Sequence, residues 1–235
     1  MNPQILYTIV LGGIAALDAA PVAQTLLSQP LVTGTLLAFI WGDWQTALET
    51  AIILQIFAST TLPVGARTPE DYAVGGVVGT GLALALASQD SIEFVRQASV
   101  MLGVIAGMLS AAFGVRLLKW QRRRNESLGR WCEAQLRGGD TAALAVSHRA
   151  AVFLAFGVGL GYTAACLLLG LWALSGMVTS ESLWFARAWA LAKPILIGAG
   201  LATLLNGFVQ RRLARAALFG FALIGTWLAL MLGAR

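Results

Sequence analysis

The chain has 235 residues, of which 58% are hydrophobic and only 11% are charged. Soluble domains carry about 25% charged residues, and a globule of this size cannot enclose so much apolar surface. The composition therefore excludes an ordinary soluble domain and predicts an integral membrane protein.

The net charge of +5 would suggest nucleic-acid binding in a soluble protein. Here the basic residues form two clusters beside apolar segments, which favours a role in membrane topology, and we expect no nucleic-acid partner.

The N-terminal part of the chain, residues 1–90, contains four apolar stretches that are short for transmembrane helices. They are residues 5–17, 31–41, 47–62 and 73–87, separated by prolines, glycines and acidic residues. Apolar runs of about 10–14 residues are typical of re-entrant or broken helices, which line cavities in transporters. We predict such segments here, forming the substrate path. Two ordinary helical hairpins with polar loops are the alternative.

Four longer apolar segments follow, at residues 94–118, 151–178, 189–209 and 216–233. Each can cross about 30 Å of hydrocarbon as a helix. The basic clusters lie at 116–137 and 211–215, and positively charged loops stay in the cytoplasm. Both clusters therefore predict cytoplasmic loops, which places the C-terminus outside. The predicted fold is an all-α polytopic membrane protein with a single membrane domain over residues 1–235.

The most hydrophilic part of the chain is the segment 119–149. Trp120, Leu128, Trp131 and Leu136 can share one face of a helix there, with arginines around them. This pattern predicts a cytoplasmic amphipathic helix that lies on the inner leaflet. Docking of a cytoplasmic partner is the alternative role for the same surface.

Nothing in the sequence is arranged for catalysis or for binding a metal or cofactor. The single histidine, His148, has no cysteine or acidic residue at ligand spacing. Cys132 and Cys166 form no metal or redox motif. We therefore expect no catalytic residue, no metal site and no cofactor in this chain.

Polar residues within the apolar N-terminal part are the candidates for substrate contacts. Ionisable groups at membrane depth are costly and usually functional. Sugar hydroxyls bind to carboxylates and amides, with an aromatic ring packed against the sugar face. The main candidates are Asp43, Gln55 and Asp71, the weaker ones are Thr46, Asp18 and Arg67, and Trp41, Trp44 or Phe57 would supply the ring. Asp43 has a second interpretation, as the N-cap of a helix that begins at Trp44.

Three segments together resemble a known family. They are QPLVTGTLLAFIWGDWQTALETAIILQIF from Gln29, LPVGARTPEDYAVGGVVGT from Leu62 and GDTAALAVSH from Gly139. Their order and spacing are similar to the membrane C subunit (enzyme IIC) of the mannose/fructose/sorbose-family bacterial phosphotransferase system. The resemblance covers nearly the whole chain.

This resemblance implies a multi-pass sugar permease subunit of the bacterial plasma (inner) membrane. Such a subunit binds and translocates a hexose-type sugar within a hetero-oligomer that contains a D-type membrane subunit. Cytoplasmic A/B phosphocarrier subunits deliver phosphate from phosphoenolpyruvate, so phosphorylation is not carried out by this chain. Two alternatives stay open: an ion-coupled small-metabolite permease that uses Asp18 and Asp43 as a relay, and a non-transporting scaffold subunit. Membrane lipid is the remaining expected contact.

Overall fold

A computed structural model of the chain describes residues 2–19, 22, 24–60, 68–208, 213–214, 216–217, 219–221 and 224. Up to residue 208 the described part forms seven helices and no strand. The helices are α1 (Pro3–Ala19), α2 (Pro30–Trp41), α3 (Trp44–Ala58), α4 (Tyr72–Ala87), α5 (Glu93–Arg137), α6 (Ala142–Ser180) and α7 (Ser182–Phe208). The predicted all-α fold is confirmed.

The first four helices are short and the last three are long. α1 to α4 contain 17, 12, 15 and 16 residues, so α2 is only about 18 Å long, well short of a hydrocarbon core about 30 Å thick. Within the described residues, α5, α6 and α7 are the helices long and apolar enough to cross a membrane. The short helical segments predicted for the N-terminal part are therefore present.

The break between α2 and α3 follows from two residues. Gly42 has a φ of 75°, a left-handed conformation that ends α2, and its N–H donates to the carbonyl of Ala38. Asp43 comes next and caps α3, because its side chain accepts a hydrogen bond of 3.0 Å from the Thr46 N–H. Asp71 caps α4 in the same way, through the Val74 N–H at 3.2 Å.

The segment 119–149 differs from its predicted form. α5 runs without a break from Glu93 to Arg137, 45 residues or about 68 Å, so the predicted span 94–118 and the hydrophilic segment after it form one helix. α6 begins at Ala142, and the two helices make a hairpin in which Cys132 and Ala143 are buried. Residues 119–149 contain no helix apart from the end of α5 and the start of α6. We call residues 119–149 the basic extension.

The later predicted spans fall within two helices. The span 151–178 lies inside α6, and 189–209 coincides with the second part of α7 up to residue 208. Most of the span 216–233 lies outside the described residues. The turn between α6 and α7 is tight, with Glu181 between them.

Close packing of small residues holds the centre of the bundle together. α4 is buried from Val74 to Leu86, and its glycines face those of α5. A Cβ added at Gly79 would lie 2.7 Å from the carbonyl oxygen of Gly103, and one at Gly75 would lie 2.7 Å from that of Gly107. Small residues at such positions let helix backbones approach closely inside a membrane.

The bundle has two ends that differ in charge. At the basic end, α5 leaves the bundle into the basic extension, and α2 and α4 begin where α1 and α3 end. The opposite end carries the turn at Gly42 and Asp43, together with the starts of α5 and α7.

Candidate functional site

A cavity of about 480 Å³ opens at the basic end, between the ends of α1 to α4 and the middle of α5. This volume lies within the range of about 300–1,000 Å³ that is usual for small-molecule sites. Its polar and aromatic lining residues are Ser28, Gln29, Glu70, Asp71, Tyr72, Gln121, Arg122 and Asn125. In a molecule that is otherwise largely apolar, this cavity gathers groups that donate and accept hydrogen bonds.

Asp71 and Gln121 line a second, smaller space as well. This pocket of about 40 Å³ lies between α1, α4, α5 and α6, and its other walls are mostly apolar. Asp71 is held in place by its cap bond to Val74 and by Gly114, where an added Cβ would lie 2.7 Å from the Asp71 Cβ. Asp71 and Gln121, together with Ala19 and Leu118, line both spaces and therefore lie at the boundary between them.

Gln55 supports the cavity and does not line it. Its amide nitrogen donates to Gln29 Oε1 at 2.8 Å and to Ser59 Oγ at 3.1 Å, and its Oε1 accepts from the Leu31 N–H at 3.1 Å. These bonds join the end of α3 to the start of α2. Gln29, one residue before α2, is the glutamine that reaches the cavity.

Asp18 also acts behind the cavity wall. It lies in the last turn of α1, is 4% exposed, and both of its carboxylate oxygens accept hydrogen bonds. Oδ1 accepts from the Thr25 N–H at 2.5 Å and from Thr25 Oγ1 at 2.8 Å, while Oδ2 accepts from the Ser28 N–H at 2.8 Å. The Asp18 side chain therefore fixes the connection between α1 and α2.

Asp43 and Thr46 lie at the opposite end. Gln55 is twelve residues further along α3 than Asp43, which places them about 18 Å apart along the helix. Thr46 is fully buried, and its N–H is bonded to Asp43. The structure therefore separates Asp43 and Thr46 from the cavity. It also separates Asp43 from Asp18, which opposes a relay between them.

The remaining candidates divide as follows. Arg67 lies outside the described residues. The ring of Trp41 is at the opposite end, where its Nε1 donates to Thr8 Oγ1, and Trp44 packs edge-on against Phe39. Tyr72 is the aromatic residue that lines the cavity. Of the six predicted site residues, the structure thus brings Asp71 into the cavity and places Gln55 and Asp18 behind it.

Three residues on α5 line the cavity but were not among the predicted site residues. Gln121 and Asn125 are four residues apart and share a helix face, but they stand among arginines that had been assigned to the membrane surface. The Asn125 side-chain oxygen is buried and has no hydrogen-bond partner among the described residues. Arg122 donates to Thr68 Oγ1 at 3.0 Å, which ties the cavity rim to the segment before α4.

A separate polar cluster lies at the opposite end and links α3, α5 and α7. Glu49 Oε2 accepts from Arg96 Nη1 at 2.9 Å, and its Oε1 accepts from Lys193 Nζ at 2.9 Å and from Trp189 Nε1 at 3.0 Å. Arg96 also pairs with Glu93. The carboxylate has a donor on each oxygen, so this cluster holds helices together.

Comparison with known proteins identifies the family. A family model of the sorbose-specific IIC component of the phosphotransferase system matches residues 3–234. The chain belongs to this family. It is accordingly a multi-pass plasma-membrane protein of a sugar phosphotransferase system, and the resemblance seen in the sequence is confirmed.

Among curated proteins there is no significant match. Two of the solved structures that share the fold of this IIC-family chain are similar over nearly its whole length. One, described as a membrane protein, is 19% identical with a TM-score of 0.69, and the alignment covers 98% of this chain and 95% of the other. The second is the cryo-EM structure of the mannose transporter ManYZ in complex with the microcin MceA. It is 20% identical with a TM-score of 0.59, and the alignment covers 98% of this chain and 94% of the other.

Proposed function

We propose that this IIC subunit binds a hexose-type sugar in the cavity at the basic end and translocates it together with a D-type membrane subunit. A cytoplasmic B subunit then phosphorylates the sugar at the cavity mouth. The observation that carries the proposal is the cavity itself, a chamber of about 480 Å³ with hydrogen-bonding side chains in its wall, at the point where four short helices begin or end.

The lining fits a neutral polyol. Each sugar hydroxyl donates one hydrogen bond and accepts others, and the cavity offers matching groups: carboxylates that accept, amides that do both, and a guanidinium that donates. Asp71, Gln121 and Asn125 are the residues we assign to direct contacts, and the ring of Tyr72 offers an apolar face. Their role is to bind the sugar, not to transfer protons or phosphate.

The charge of the basic extension indicates to which side of the membrane the cavity opens. Residues 119–149 carry seven arginines and lysines against three acidic residues, and positively charged segments stay on the cytoplasmic side. The cavity therefore opens toward the cytoplasm, where A/B phosphocarrier subunits reach it. An anionic phosphocarrier surface would be attracted to the same arginines.

The D-type partner is assigned to the exposed faces of the long helices. Trp172 on α6 is 81% exposed, and Leu191 and Ile195 on α7 are 72% and 69% exposed. Such faces meet lipid or another membrane subunit. Family membership favours the second for part of this surface.

Sugar uptake by cells that express the complete set of subunits tests the proposal. Uptake should require phosphoenolpyruvate-derived phosphate, and Gln121→Leu or Asn125→Leu should raise the KM about five- to tenfold, the loss expected for one or two hydrogen bonds. Gln45→Leu, an exposed glutamine at the opposite end, is the matched control and should leave KM unchanged. Uptake that depends on the membrane potential and not on phosphoenolpyruvate would instead establish an ion-coupled permease.

A further inference from the structure

Two residues of the connection between α1 and α2 have a backbone conformation that their residue types do not favour. Gln24 has a φ of 51° and Leu26 a φ of 74°, in the left-handed region that is uncommon for residues other than glycine. Neither residue is a glycine. Such conformations persist where neighbouring contacts hold them, and they occur often at functional sites.

Asp18 supplies side-chain hydrogen bonds to this connection, in addition to backbone bonds such as the one from the Gln29 N–H to the Leu26 carbonyl. Its two carboxylate oxygens accept three hydrogen bonds, from the N–H and hydroxyl of Thr25 and from the N–H of Ser28. Asp18 is almost fully buried, whereas Leu26 between the two anchors is 63% exposed. Leu26 therefore has little packing of its own, and the carboxylate anchors the residues on either side of it, Thr25 and Ser28.

The same connection carries Gln29 to the cavity. Gln29 follows Ser28 directly, and both residues line the cavity. The Gln29 amide oxygen accepts from Gln55 Nε2 at 2.8 Å, so its NH₂ group faces away from Gln55. Gln55 is fixed in turn by the Leu31 N–H and by Ser59.

We propose that Gln29 is a sugar-contacting residue of the cavity and that Asp18 is the positioning residue that sets its place through Thr25 and Ser28. This inference rests on the proposed function, because it assigns residues within the same cavity. The Gln29 NH₂ group donates to a sugar hydroxyl from the start of α2, whereas Gln121 and Asn125 contact the sugar from α5. Gln55 orients the Gln29 amide from behind, and Asp18 holds the backbone that presents it.

Two variants separate contact from positioning. Gln29→Leu removes the NH₂ donor and should weaken sugar binding about fivefold, the value of one neutral hydrogen bond. In Asp18→Asn the side chain keeps its shape, but its NH₂ group faces the Ser28 N–H, so one anchor is lost. This change should raise the sugar KM about threefold while the maximal uptake rate and the amount of membrane protein stay close to wild type.

A spin label attached at Leu26→Cys, in a chain with Cys132 and Cys166 replaced by alanine, measures the mobility of the connection between α1 and α2. The label should gain mobility in Asp18→Asn and keep its wild-type mobility in Asp90→Asn. Asp90 is the matched control because it is an exposed loop aspartate that also accepts a backbone hydrogen bond, from the Ile92 N–H, and lies at the opposite end.

The outcomes distinguish this inference from the proposed function. If wild type and Gln121→Leu behave as proposed but Gln29→Leu binds sugar normally, the contact role of Gln29 is wrong and the sugar site stands. If Asp18→Asn frees the label without changing KM, Asp18 supports only the fold and the positioning role is wrong. A wild-type complex that neither binds sugar nor takes it up with phosphoenolpyruvate overturns both proposals together.

Discussion

The charged cluster around Glu49 should stabilise the contact between α3, α5 and α7, and its removal can be measured. In Glu49→Gln the side chain keeps its size but loses its charge. Arg96 retains Glu93, whereas Lys193 loses the acidic partner it has in the described part of the chain. The Trp189 N–H still finds an oxygen, because the glutamine amide oxygen can accept from it.

The expected loss of unfolding free energy follows from the solvent exposure of the charged side chains in the cluster. Breaking a fully buried ion pair by removing one partner costs about 3–5 kcal/mol. The Glu49 and Arg96 side chains are 14% and 16% exposed, but Lys193 is 43% exposed and can extend its ammonium group to the interface. We therefore expect Glu49→Gln to lower the free energy of unfolding by about 2–3 kcal/mol.

The two ion pairs that Glu49 forms should differ in strength. In double-mutant cycles, the Glu49–Arg96 pair should show a coupling of about 1.5–2 kcal/mol, since charged hydrogen bonds between poorly exposed groups are strong. The Glu49–Lys193 pair should show less than about 1 kcal/mol, because exposure weakens it.

Unfolding of the purified protein in mixed micelles gives these values, with Glu126→Gln as the control. Glu126 is exposed in the basic extension, so its loss should change stability by no more than about 0.5 kcal/mol. If Glu49→Gln is as stable as Glu126→Gln, or if Lys193 couples more strongly than Arg96, the reasoning from burial is refuted.

Three further predictions concern a helix cap, a contact between two helices and the membrane topology. Asp43→Asn should leave both stability and sugar affinity unchanged, because Asn caps a helix as well as Asp, whereas Asp43→Ala should cost about 1 kcal/mol of stability. Lost sugar affinity in a stable Asp43→Asn variant would place Asp43 in the site. Gly79→Ala should destabilise the bundle by about 1–3 kcal/mol through overpacking against Gly103 and Leu54, while Gly157→Ala, with open space around it, should be neutral in thermal unfolding. A single cysteine at Ser127 should react with an impermeant thiol reagent only after cells are opened, and one at Ser182 should react in intact cells; the reverse pattern would invert the topology.

Much of the fold is visible in the sequence because the signals are local. The breaks at Gly42-Asp43 and before Tyr72 are helix stop and start signals, and each acts within one turn of the chain. The cap interpretation of Asp43 is confirmed for this reason. The apolar pattern does not predict the continuation of α5, because the composition changes from apolar to hydrophilic at residue 119. Backbone hydrogen bonds in a helix do not depend on that change, and 119–137 contains no proline and a single glycine.

The candidate site was less accessible to sequence reasoning. Asp43, Gln55 and Asp71 are polar residues in apolar surroundings, and that property does not show which of them lie together. The length of α3 separates Asp43 from the other two, while the α2–α3 connection brings Gln29 back to Gln55, 26 positions away. The charged partners of Glu49 are 47 and 144 positions away, too far for any local pattern.

The sequence by itself determined the membrane class, the family, the helical breaks and the capping residues, because composition, motif order and cap chemistry act over short stretches. Only the tertiary structure decided which polar groups share a cavity, which stand behind its wall and which pair across helices. Those relations depend on how the close packing of Gly79 and Gly103 sets α4 against α5, and on which end of each helix its polar residues occupy.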